Sequence, residues 1–143
     1  MIKANELRIG NFIYRQTLPV IPANFINKEI ISVGKVDEDL FNDKIDCQFS
    51  PIPLTEEWLK KFGFEWKSEN KTWRIEYRIP FVDDGKRIAI HVWEDEVMGI
   101  WGVTLWEVVP IDDVTPTVIK YVHQLQNLYH ALTGQELQLT NSN

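Results

Sequence analysis

A chain of 143 residues, 44% apolar and 12% aromatic with six Trp, is the size of a single globular domain and carries enough apolar mass for a core, which excludes intrinsic disorder. Its one cysteine, Cys47, excludes an intramolecular disulfide and a Cys-based zinc site and reads as a small buried hydrophobe. The net charge of −6 opposes general attraction to polyanions, and no run approaches the ~18 uninterrupted apolar residues of a membrane span.

The first residues, Met1 to Glu6, lack the apolar run of a secretion signal, so the expected address is the cytoplasm and the sequon at Asn70 to Thr72 is a chance match. Leu7 to Arg15 is strand-like, with a bend at Gly10 and Asn11. A loop containing Pro19 and Pro22 leads to a second strand, Ile30 to Val36, and a short third, Ile45 to Phe49. Three short strands ending at Pro51, Ile52 and Pro53 predict a small bent N-terminal β unit, SH3-like in outline. Residues 51–54 are the one seam in what otherwise reads as a single 1–143 domain.

Thr55 to Gly63 is a compact helix with its punctuation in place. Thr55 caps it, Glu56 and Glu57 meet the positive end of its dipole, Lys60 and Lys61 occupy its last turn, and Gly63 supplies a left-handed exit. Trp58, Leu59 and Phe62 share the face to be buried. A three-stranded antiparallel meander follows. Trp73 to Ile79 alternates apolar with charged residues, Asp83-Asp84-Gly85 signals a hairpin turn, and Arg87 to Trp93 returns. After the acidic turn Glu94 to Glu96, the nearly all-apolar stretch Val97 to Val109 is expected at the sheet centre.

Thr115 and Pro116 resemble a helix start, and Val118, Tyr121, Val122, Leu125, Leu128, Tyr129 and Leu132 form an apolar stripe. The expectation is an amphipathic C-terminal helix, Pro116 to Thr133, packing the meander and ended by Gly134. Glu136 to Leu139 is expected as an edge strand, with fraying from Thr140. The fold class is therefore α+β.

Nothing in the sequence identifies an enzyme, and no cofactor motif is present. His123 and His130 stand seven residues apart, about 10.5 Å along a helix, too far to hold one metal ion. They read as solvated residues opposite the apolar stripe; the sharper alternative is a partner-binding face of His123, Gln126, Asn127 and His130. His91 is expected on the less buried face of its strand, near Glu94 and Glu96, without ligating a metal. Gly99 to Gly102 matches a GXXG pattern but lies in an apolar strand, which points to close packing.

One segment is chemically suggestive. Between Lys60 and Arg78 six bases (Lys60, Lys61, Lys67, Lys71, Arg74, Arg78) outnumber three acids and interleave with Trp66, Trp73 and Tyr77. That composition suits a single-stranded nucleic acid, whose phosphates need cations and whose bases stack on rings. The alternation puts the rings on one face and the charges on the other, which suits a core face backed by a solvated one equally.

Three segments, Glu6 to Tyr14 (ELRIGNFIY), Ile52 to Phe64 (IPLTEEWLKKFGF) and Tyr121 to Leu137 (YVHQLQNLYHALTGQEL), together resemble a family of small uncharacterised proteins of gut Bacteroidetes, their prophages and mobile elements. The resemblance spans most of the chain. It implies a cytoplasmic accessory role in a phage or mobile element and carries over no catalytic residue. The functional expectation is a non-enzymatic protein acting through a protein partner or a second copy of itself, with single-stranded nucleic-acid binding through residues 60–78 as the alternative.

Overall fold

The computed structural model describes residues 6–8, 10–17, 28–32, 47–78, 87–106 and 117–140. The expected hairpin turn at Asp83 to Gly85, the proline loop after Thr17 and the start signal Thr115-Pro116 lie outside them. The order is β1 (Phe12–Thr17), β2 (Lys28–Ser32), β3 (Cys47–Ser50), α1 (Glu56–Lys61), β4 (Glu65–Lys67), β5 (Thr72–Arg78), β6 (Arg87–Asp95), β7 (Ile100–Trp106), β8 (Thr117–Ile119) and α2 (Val122–Thr133). Among the described residues, two antiparallel sheets with two helices make the class α+β. No helix among the described residues is long and apolar enough to cross a membrane.

The chain forms two compact units. The first comprises Met1–Pro53 and Tyr121–Leu128. Its sheet has the order β2-β1-β3, with Ile13 opposite Ile31 and Tyr14 opposite Ser50. Gly10, at φ 96°, makes the expected bend, so β1 begins only at Phe12. Val122 N–H donates to the Ile52 carbonyl (2.9 Å), and Ile13, Ile52, Val122 and Leu125 are the buried aliphatics among the unit's described residues.

The second unit comprises Leu54–Lys120 and Tyr129–Asn143. Its five-stranded sheet runs β4-β5-β6-β7-β8, so the meander is the middle of a wider sheet and β6, not β7, lies at the centre. Trp73, Ile75, Tyr77, Ile90, Val92, Trp101, Val103 and Ile119 share one face through the register of β5 to β8. The Trp101 indole N–H donates to the Leu54 carbonyl (3.0 Å), so burying this ring leaves no donor unmet.

The helix α1 is built as its sequence dictates. Thr55 Oγ1 accepts from Trp58 N–H, and Trp58, Leu59 and Phe62 are buried. Its exit is a Schellman motif: Phe64 N–H donates to the Leu59 carbonyl (2.9 Å) and Gly63 N–H to that of Lys60 (3.0 Å), with Gly63 at φ 84°. The Lys61 carbonyl, which α1 cannot satisfy, accepts both Thr140 N–H (2.7 Å) and Thr140 Oγ1–H (3.0 Å).

Three expectations are corrected. The closing helix does not begin at Pro116: Thr117, Val118 and Ile119 form β8 on the edge of β7, and α2 starts at Val122. These three β-branched side chains suit a pleated edge, while Val118, Tyr121 and Val122 match a helical period by coincidence of spacing. At the start of α2, the Gln124 amide oxygen accepts from Tyr121 N–H (3.2 Å), half of a capping box. Residues 136–139 are irregular rather than an edge strand, although Leu137 is buried. Thr140, expected to fray, is held by its two bonds to Lys61.

A Cβ at position 63 would meet Thr140 Cγ2 at 2.8 Å in a backbone conformation that L-residues disfavour. Gly63→Ala is therefore expected to destabilise the protein by about 1–2 kcal/mol, read as a lowered urea midpoint at unchanged slope.

Candidate functional site

The polar side of α2 is occupied by the chain's own N-terminal segment. Gln126 Oε1 accepts from Phe12 N–H (2.8 Å) and Gln126 Nε2 donates to the Gly10 carbonyl (2.9 Å), so one side-chain amide serves both sides of a single stretch of backbone. Asn127 Oδ1 accepts from Asn11 Nδ2 (2.9 Å), and Asn127 Nδ2 donates to the Glu6 carbonyl (2.8 Å). Asn11 Oδ1 in turn accepts from Arg8 N–H (2.7 Å). Asn11, His123 and Gln126 are at most 1% exposed, so the expectation of solvated histidines fails at His123. In the second unit, His130 is half-buried, with Nε2 3.8 Å from Glu136 Oε1. His123 and Gln126, of the expected partner-binding face His123, Gln126, Asn127 and His130, are thus not open to a partner.

His123 is the exception in this well-satisfied group. Neither ring nitrogen has a hydrogen-bond partner among the described residues; the ring stacks on Tyr121 (centroids 5.9 Å apart, 8° between planes), and Nε2 lies 3.9 Å from Glu6 Oε2. Burial pushes its pKa below the ordinary value of 6.5, and the Glu6 carboxylate partly offsets that push.

His91 is buried rather than on a less buried face. Both faces of mid-β6 are covered, Ala89 and His91 on one and Ile90 and Val92 on the other, and the His91 Nδ1 and Thr72 hydroxyl are hydrogen-bonded (3.1 Å). No group of three His, Cys, Asp or Glu among the described residues could hold a metal ion.

Acids and rings neighbour most of the bases between residues 60 and 78. Lys61 pairs with Glu57 (2.9 Å) and lies over Trp58; Lys67 pairs with Glu65 (2.8 Å); Arg74 pairs with Glu76; Lys60 lies over Trp73, its Nζ 5.5 Å from the ring centroid. Glu57 and Glu65 are held below the usual carboxylate value by hydrogen bonds to Lys61 and Lys67. Lys71, at φ 52°, turns the chain into β5, and Arg78 pairs with Arg87 across the β5–β6 ladder. Trp73 is buried, whereas Trp66, packed on it at 5.4 Å, is 49% exposed. The cleft of about 350 Å³ beside Lys67 and Arg74 is also lined by Glu65 and Glu76, so it offers a phosphate little net attraction.

The β6–β7 turn carries the most exposed large apolar side chains among the described residues. Val97 is 95% exposed and Met98 67%, more than any other large apolar residue described. The turn that carries them is tightly bonded. Asp95 Oδ1 accepts from Val97 N–H (3.1 Å) and Met98 N–H (3.0 Å), Gly99 N–H donates to the Asp95 carbonyl (2.8 Å), and Gly99 takes φ 62°. The aspartate thereby satisfies two backbone donors that a five-residue turn would otherwise leave to solvent. Exposed Glu94 and Glu96 flank the two apolar residues. Sequence reasoning assigned Val97 and Met98 to a strand; Asp95 followed four residues later by Gly99 was the signal for a turn.

Comparison with protein-family models, with curated proteins and with solved structures gave no match.

Because folded His123 holds its proton less tightly than the unfolded chain does, stability falls as pH is lowered from 6.5 toward the depressed folded value, and this contribution is flat below it. Thermal melts between pH 8 and 5, above the range where Glu57 and Glu65 titrate, are expected to show a smaller fall in Tm for His123→Phe than for the wild type.

Proposed function

We propose that the chain is a non-enzymatic accessory protein of a phage or mobile element that works in the cytoplasm by docking a protein partner. One observation carries the docking reading: a rigid, hydrogen-bonded turn holds Val97 and Met98 in water. Exposed apolar groups gain free energy on leaving water, and a turn already fixed by Asp95 loses little entropy when it docks. Methionine adapts its shape to the surface it meets. Glu94 and Glu96 beside the knob favour a partner whose apolar hollow has a basic rim, and such charges steer encounter more than they add affinity. The phage or mobile-element setting rests on the sequence resemblance alone.

The test uses the full chain with a photo-crosslinking residue at position 97, in cells that carry its natural genetic element. A captured protein is then purified and titrated against the chain. The Val97→Asp/Met98→Asp variant is expected to keep its stability within about 0.5 kcal/mol and to bind that protein at least about tenfold more weakly. Equal affinities for variant and wild type would refute the reading.

Single-stranded nucleic-acid binding through Lys60, Lys61, Lys67, Lys71, Arg74 and Arg78 has the exposed Trp66 in its favour and the Lys61, Lys67 and Arg74 ion pairs against it. Fluorescence anisotropy with mixed-sequence oligonucleotides at about 50 mM salt is expected to show no binding. A micromolar Kd that weakens steeply with added salt would establish this function in place of docking.

A further inference from the structure

The face of the five-stranded sheet that carries His91 contains a hollow of about 390 Å³, lined by Asn70, Thr72, His91, Trp93 and Thr104. Its size falls in the range of small-ligand sites, roughly 300–1,000 Å³. The register sets Trp93 opposite Gly102 and His91 opposite Thr104, so three strands and the β4–β5 turn contribute to one place. Gly102 is what lets the indole sit there. Any Cβ at that position would fall within the Trp93 ring, which lies over the glycine and remains partly exposed where it lines the hollow. Beneath, the Thr72–His91 hydrogen bond ties β5 to β6 and fixes the imidazole of a residue only 3% exposed.

We propose that this hollow binds an uncharged sugar ring. The lining combines one aromatic wall with an amide, two hydroxyls and an imidazole, groups that between them both donate and accept. A charged ligand would be desolvated against a lining whose described residues include no Lys, Arg, Asp or Glu. A wholly apolar ligand would cover Asn70 and Thr104 and leave their polar atoms unmet. A sugar ring meets both conditions. Its C–H face lies against the electron-rich indole face, and its neutral hydroxyls pair with side chains that exchange donor and acceptor roles. Trp93, held over Gly102 before any ligand arrives, is preorganised for that stacking. The site shares no residue with the Val97–Met98 knob, so either function can fail without the other.

Saturation-transfer NMR and calorimetry on the full chain, with glucose, galactose, mannose, N-acetylglucosamine and their dimers, test the assignment. At least one of these binds with a Kd in the millimolar range or tighter, Trp93→Ala weakens it about tenfold, and Asn70→Ala, at an exposed position, about fivefold. Should Trp93→Ala not fold, the Asn70→Ala/Thr104→Val double variant decides the matter by the same loss of affinity. The assignment is overturned if none of these sugars shows saturation transfer at about 20 mM, or if the double variant binds as tightly as the wild type. Tighter binding of glucose 6-phosphate or adenosine than of any neutral sugar overturns it as well.

Discussion

Water withdrawn from a polar group must be replaced, and most of what is distinctive in this protein follows from where the replacements come from. In the first unit, the Gln126 amide oxygen accepts from Phe12 N–H and its amide nitrogen donates to the Gly10 carbonyl, which fixes the chain at the entry to β1. The β1 strand is central in its sheet, so the partners β2 and β3 take their register from a strand whose start is set by a glutamine. In the second unit the same need is met by Trp101 reaching the Leu54 carbonyl and by Thr140 covering the Lys61 carbonyl. These bonds add modestly to net stability one by one, but each omitted partner would leave a desolvated group, which is why they specify one arrangement over its neighbours.

His123 is the place where the accounting is left open. A buried imidazole with no hydrogen-bond partner on either nitrogen among the described residues has its charged form disfavoured because its surroundings would solvate a charge poorly, and the Glu6 carboxylate at 3.9 Å is too far for a good bond. Stacking on Tyr121 supplies the contact that polar partners do not. The helix thus carries two kinds of polar residue on one side, an amide pair that grips the N-terminal segment and an imidazole held by ring stacking.

What could be read in the sequence was what is decided locally. The whole of α1, from the Thr55 cap to the left-handed Gly63, is written within nine residues, and the alternation in Trp73 to Tyr77 gives its strand and its buried face directly. The start of α2 was misread because β8 and the helix share an apolar spacing, and edge pairing with β7 decides between them. The polar face of α2 looked free because its partners lie 114 to 121 residues earlier in the chain, beyond any local pattern. His91 was misassigned for a related reason. Alternation separates two faces of a strand but does not say that both are covered at its middle. The exposed pair Val97 and Met98 was lost inside an apolar run, where hydrophobicity alone cannot separate a strand from the turn that precedes it.

The approach of Trp93 to Gly102 ties two positions of the sequence together in heredity as well as in space. A lineage that acquires any side chain at 102 must first surrender the large ring at 93, and one that shortens 93 releases 102 from its need to be glycine. Substitution at these two sites is therefore ordered rather than free. Related chains should keep both residues, have shortened 93 alone, or have lost both, with the combination of a side chain at 102 beneath an intact tryptophan closed to them by sterics.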